Sequence, residues 1–211
     1  MKKADIQTAF ERFRERDPEP KTELEFTNDY TLLVAIVCSA QATDVGVNKA
    51  TKDLFKRIDN PHDMVKLGVD GLKKYIRTIG LFNSKAKNVI SLSETLIEKH
   101  NGRVPDDFDS LIALAGVGRK TANVFLNCFY GKLTIGVDTH VFRVSNRMGL
   151  VKSKNEVQTE LQLYKKVPKE FLQHSHHWLI LHGRYVCKAR KPECENCFIE
   201  DICDKRIKKL K

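Results

Sequence analysis

Four cysteines crowd into the last 25 residues of this 211-residue chain, at Cys187, Cys194, Cys197 and Cys203. Their spacing is C-x6-C-x2-C-x5-C, and four thiolates can hold either a tetrahedral zinc ion or a cubane iron–sulfur cluster. Zinc modules more often present two C-x2-C knuckles separated by a longer loop, whereas here one compact run supplies every ligand. Thiols clustered behind a charged, leaderless N-terminus point to a metal site rather than a disulfide framework. Cys38 and Cys128 stand alone in apolar stretches and read as small core residues.

A second chemical constellation lies mid-chain. Residues 111–122 run Leu-Ile-Ala-Leu-Ala-Gly-Val-Gly-Arg-Lys-Thr-Ala. An apolar helix ends, Gly116-Val117-Gly118 turns, and a second helix opens at once. The glycines admit turn conformations closed to other residues and allow close approach to a ligand. The free N–H groups of the new helix start then form a phosphate cradle, with Val117 anchoring the turn. An ordinary tight helix–helix connection has the same outline, but the Arg119-Lys120 pair favours a helix-hairpin-helix that grips the DNA backbone. Lys120 falls in the first turn, where a cation opposes the helix dipole. It reads either as a phosphate contact or as a nucleophilic amine. A free lysine is neutral in only roughly one molecule in a thousand near neutral pH; burial, the dipole and Arg119 all push toward the reactive form. Asp138, in Thr134-Ile-Gly-Val-Asp-Thr-His140, stands just before a helical pattern. Its plain role is an N-cap, and a capping carboxylate is also a fixed anion, so capping and catalysis coexist there.

The elements that carry these residues are helical nearly throughout. Asn28 or Asp29 is placed to cap a helix over Tyr30–Ser39, and Asn83 or Ser84 to cap one that ends at Asn101-Gly102. Further helices are predicted over Asp109–Leu114, Arg119–Phe129, Thr139–Met148, Lys154–Lys166 and Glu170–His182, with Pro168 separating the last two. No stretch alternates long enough to demand a sheet, and Leu133–Val137 reads as an extended connector. Lys plus Arg number 37 against 27 acidic residues, a net charge of +10 that favours an anionic partner. The longest apolar run, Leu32–Cys38, is far short of the roughly 20 residues that span a bilayer, so a membrane is not an expected partner.

Ala-Gly-Val-Gly-Arg-Lys-Thr-Ala-Asn (115–123), Val-Asp-Thr-His-Val (137–141) and the cysteine run strongly resemble the bacterial endonuclease III family of DNA glycosylase/abasic-site lyases. Ser39-Ala-Gln-Ala-Thr-Asp44 and Ile79-Gly-Leu-Phe-Asn-Ser-Lys85 are similar to that family too, and the motifs keep its order along essentially the whole chain. The resemblance implies an all-α, two-lobed helix-hairpin-helix glycosylase fold. A six-helix lobe, 22–132, would contain the hairpin at about 108–128. The other lobe would join 1–21 to 133–211 and hold a [4Fe–4S] cluster in the loop 187–203, with the active site in the cleft between. It implies that Lys120 is the nucleophile and Asp138 the essential carboxylate, acting on oxidised pyrimidines and abasic sites in double-stranded DNA. Lys120 would form a Schiff base with the sugar, and β-elimination would cut the strand on the 3′ side.

The same resemblance assigns DNA contacts. An enzyme that flips a base must fill the hole; Gln41 would plug it, with Ile79 and Leu81 wedging the opposite strand, although both also suit a core. Gly116, Gly118, Arg119 and His140 complete the expected contacts, and Lys188, Arg190 and Lys191 form a basic loop tied down by the cluster. Ala115 departs from the family's usual proline, and Gly136 from its commoner alanine. His174, His176 and His177 do not share one helix face and read as surface or packing residues, not ligands. The related mismatch adenine glycosylases lack the hairpin lysine, and a non-catalytic DNA-binding module would need neither Lys120 nor Asp138. The expected setting is a monomer in a bacterial cytoplasm, associated with the nucleoid.

Overall fold

A computed structural model describes residues 1–205. Among them the secondary structure is helical, without a strand. The described residues divide into two compact units, Glu23–Tyr130 and a second made of Met1–Thr22 with the chain from Gly131 onward.

The first unit is built around α2 (Asp29–Ser39), whose residues Leu32 to Cys38 are buried on every face. Only a helix enclosed all round can be apolar all round, and α2 is packed by α3 (Asp44–Phe55), α5 (Phe82–His100) and α7 (Arg119–Tyr130). Asn28 caps α2 as expected, accepting from the Thr31 amide at 2.9 Å. Between α3 and α5 lies α4 (Pro61–Ile76), broken at Gly68, where φ is +71°. The cap expected at Asn83 or Ser84 does not form: α5 starts earlier, at Phe82, behind Leu81 in the left-handed conformation with no side-chain cap. A tight, strained turn replaces the capping side chain there. At its other end Asn101 and Gly102 both take positive φ, the stop read from the sequence. The short α6 (Phe108–Ile112), capped by Asp107, leads into the glycine turn before α7.

The second unit packs α1 (Lys3–Arg16), α8 (Thr139–Met148), α9 (Glu156–Lys166) and α10 (Leu172–Tyr185) around an aromatic core. Phe10 stacks on Phe171 with ring centres 5.7 Å apart, and Phe13 stacks on Trp178 at 6.2 Å. The Trp178 indole N–H donates to the Asp17 carbonyl at 2.8 Å, closing the end of α1 over α10. Residues 133–137 cross the unit as an extended connector. Ile135 and Val137 are buried, and the Ile135 amide donates to the Tyr164 hydroxyl at 3.1 Å.

That connector ends at Asp138, the N-cap of α8. Its Oδ1 accepts from the His140 amide at 2.9 Å and the Val141 amide at 2.8 Å, satisfying two of the helix's orphan donors. Asparagine caps about as well as aspartate, whereas alanine does not cap. Asp138→Ala is therefore expected to lose about 1 kcal/mol of stability in thermal or urea unfolding, and Asp138→Asn far less. Equal losses in the two variants would show that the cap is not what the side chain contributes to the fold.

Candidate active site and cluster loop

The hairpin takes its shape from Gly116. Its φ is +77°, and a Cβ there would lie 2.9 Å from both Cβ and Nδ2 of Asn88, so conformation and space both require glycine. Gly118 differs from the expectation: its φ is not positive and nothing approaches its open side within 4 Å. Its contribution is room rather than turn geometry. Val117 is buried and its amide closes the turn on the Leu114 carbonyl at 3.1 Å. Helix α7 begins at once with Arg119 and Lys120. Arg119 is exposed, its guanidinium 4.9 Å from the Phe108 ring centre, while Lys120 is half-buried in the first turn.

Two strained tips lie together in the same unit. Gln41 has φ +54° and Leu81 φ +58°, both unusual for side-chain-bearing residues. The intervening contact is close: a Cβ on Gly80 would sit 3.2 Å from the Gln41 carbonyl oxygen. Gln41 is exposed and Leu81 is 56% exposed, so both side chains are offered outward. Ile79, expected with Leu81 as a wedge, is only 5% exposed and belongs to the hydrophobic core. The turn at Gly80 sends successive side chains in opposite directions, and the apolar one that faces inward is Ile79.

Asp138 keeps a fifth of its side-chain surface in contact with water, at 21%. Burial alone would raise its pKa. Hydrogen bonds from His140 and Val141, and the nearness of His176 and His140, outweigh that and hold the carboxyl far below the usual carboxylate range. Its second oxygen lies 3.2 Å from His140 Nδ1, so His140 is tethered to Asp138. The result is a fixed anion that stays charged through the neutral range.

The four cluster cysteines line one cavity, walled by Met148, Val186 and Ile199. A single zinc ion, with Zn–S bonds of about 2.3 Å, would need the thiols to converge. Among the described residues no three His, Cys, Asp or Glu side chains are placed to hold one ion. Thiols spaced around a cavity suit a cluster that presents an iron to each. Polar groups already face the sulfurs: Arg147 Nη1 lies 3.9 Å from Cys187, His182 Nε2 3.7 Å from Cys197, and the Lys205 amide donates to Cys203 at 3.4 Å.

The loop is held from both sides. From α8, Arg147 donates to the Lys188 and Ala189 carbonyls at 2.6 and 2.8 Å, and Arg143 Nη2 to the Gly183 and Cys187 carbonyls at 2.7 and 3.2 Å. From α1, Arg12 donates to the Phe198 carbonyl at 2.8 Å and makes a two-pronged bond to Asp201 at 2.6 and 3.0 Å. Sequence reasoning missed these arginines. The available signal was the four-residue spacing of Arg143 and Arg147 on the helix after Asp138. Of the basic loop residues, Arg190 and Lys191 are exposed, Lys191 with φ +52°, while Lys188 pairs with Glu193. His176 and His177 are both buried.

Comparison with known proteins agrees with this geometry. Residues 34–169 match the family model of HhH-GPD superfamily base excision DNA repair proteins, and residues 187–203 match the iron–sulfur binding domain of endonuclease III. Endonuclease III of Rickettsia conorii is 56% identical over 94% of this chain and 95% of its own length. That of Escherichia coli K12 is 54% identical over 99% of each chain. A solved structure of a trapped endonuclease III–DNA covalent intermediate matches with a TM-score of 0.92 and 42% identity, covering 97% of both chains. A thermostable thymine-DNA glycosylase shares the fold with a TM-score of 0.83 at 23% identity. The chain belongs to the endonuclease III family of helix-hairpin-helix base excision repair proteins, with that family's [4Fe–4S] cluster domain at its C-terminal end.

Proposed function

We propose that this protein is a bifunctional DNA glycosylase and abasic-site lyase that removes oxidised pyrimidines. The observation that carries the reading is the trapped covalent endonuclease III–DNA relative, which this chain matches over nearly its full length. An enzyme that becomes bonded to DNA needs a nucleophile, and Lys120, at the start of the helix behind Gly116-Val117-Gly118, is the amine the hairpin presents.

In this reading the neutral Lys120 amine attacks C1′ of the damaged nucleotide as the N-glycosidic bond breaks. The departing base carries the electron pair and is protonated. The sugar ring opens to an iminium on Lys120, loss of a C2′ proton follows, and the 3′ phosphate leaves by β-elimination. Positive charge builds on the sugar in the first step, and a pre-fixed anion stabilises it without reorganising. Asp138 is that anion: capping α8 keeps it ionised and aimed. Lysine, unlike water, gives an N-linked intermediate that can open to an iminium.

The hairpin and the basic loop hold the phosphates. Gln41 and Leu81, raised on strained turns, fill the stack where the nucleotide has left. When bound, the [4Fe–4S] cluster supplies rigidity to the loop that carries Arg190 and Lys191. Cys187, Cys194, Cys197 and Cys203 would hold the cluster, which would leave no iron position for substrate. The protein acts as a monomer on duplex DNA, with the nucleoid in a bacterial cytoplasm.

Borohydride reduction during reaction with a duplex containing an abasic site or an oxidised pyrimidine is expected to leave a covalent protein–DNA adduct. Lys120→Ala is expected to yield none, and an equal yield would remove Lys120 from this role. Phosphate contacts are read separately. Lys191→Ala is expected to weaken binding to undamaged and damaged duplexes alike and to flatten the slope of log affinity against log salt by about 0.9. An unchanged slope with unchanged affinity would show that the loop does not touch DNA.

A further inference from the structure

The position of Asp138 depends on more than its own cap, because an N-cap residue takes its place from the chain that enters it. Residues 133–137 belong to no helix or ladder, so their carbonyls must find other donors. The Gly136 carbonyl, two residues before Asp138, lies 2.7 Å from Nδ1 of His176 on α10. A carbonyl only accepts, so Nδ1 carries the proton and the imidazole is the donor. His176 is 2% exposed, which removes water as a substitute partner for that carbonyl. At Gly136, without a side chain to restrict it, an outside hydrogen bond is what fixes the peptide.

The same face of α10 also fixes the chain beyond Asp138. Seven residues on, two helical turns along that face, Gly183 bears on α8. A Cβ at Gly183 would lie 3.0 Å from His140 Cβ and 3.0 Å from Val144 Cγ2. The Gly183 carbonyl accepts from Arg143 of α8 at 2.7 Å. Helix α10 therefore grips the connector before the carboxylate and the helix after it.

We infer that His176 is a positioning residue for Asp138: its Nδ1–H bond to the Gly136 carbonyl sets where the carboxylate stands when charge develops on the sugar. The inference rests on the reading of Asp138 as the stabilising anion. Displacement of a reacting group by about 1 Å costs roughly 100-fold in rate, and loss of this bond would release the Gly136 peptide from α10.

Two polar replacements separate this role from packing. The amide nitrogen of asparagine reaches the place of Nδ1, whereas that of glutamine reaches the place of Nε2. In the cluster-loaded enzyme, single-turnover excision from saturating duplex carrying an oxidised pyrimidine is measured for native protein, His176→Asn, His176→Gln and Asp138→Asn, with DNA affinity and melting temperature alongside. His176→Asn is expected to stay near the native rate. His176→Gln is expected to fall by roughly tenfold to 100-fold with affinity unchanged. A native rate in His176→Gln, equal slowing in both variants, or losses that merely follow melting temperature would overturn the inference. Slow Asp138→Asn with fast His176→Gln would strike this inference alone, whereas fast Asp138→Asn would strike the reading of Asp138 beneath it.

Discussion

A carboxylate kept charged while mostly hidden from water is the constraint on which the rest of this protein depends. Burial favours the neutral acid, and only a dense set of donors reverses that preference. Asp138 has them: two backbone amides at the opening of α8, with the His140 ring beside its second oxygen. The cap serves the fold directly, and on the function proposed above the same side chain would serve the chemistry. A helix needs an acceptor at its N-terminus, and an oxocarbenium-like sugar would need a fixed anion. A side chain answering both demands would not relax away when substrate arrives, because relaxing would uncap the helix.

The cluster loop is joined to this carboxylate through covalent and hydrogen-bonded structure. Helix α8 begins at Asp138's cap and, one and two turns later, sends Arg143 and Arg147 onto the carbonyls of residues 183–189. On the function proposed above, Cys187, Cys194, Cys197 and Cys203 would hold that segment through the cluster. Arg12 secures the far side from α1, so the loop is anchored to two helices. The stretch of 17 residues matched by the iron–sulfur domain forms little regular structure of its own.

Much of this was legible beforehand, and the reasons are local. The Lys120 and Asp138 motifs are chemically distinctive at short range, the four-cysteine spacing is compact, and apolar α2 could only be a buried helix. Asn28 and Asn101-Gly102 marked their helix ends because capping is a property of one residue and its neighbours. The misreadings arose where a turn, not a side chain, does the work. Leu81 begins α5 in a left-handed conformation that no propensity announces, and that same turn sends Ile79 into the core. Of the two properties expected of Gly118, its φ does not use the backbone freedom, while its open side leaves the room for close approach. Arg143 and Arg147 escaped notice, and His176 read only as a surface or packing residue, because each bonds a backbone carbonyl about 40 residues away in sequence, and such bonds leave no periodic mark.

The direct test of the central claim is the titration of one group. Carbon-13 NMR of the side-chain carboxyl of Asp138, assigned by comparison with Asp138→Asn, follows its charge as pH falls. The carboxyl is expected to stay ionised well below the ordinary aspartate value of about 3.9, for as long as the protein remains folded. A midpoint at or above that value in the folded protein would mean that the donors at the start of α8 do not hold the charge, and the account of a carboxylate kept ionised by its cap would fail with it.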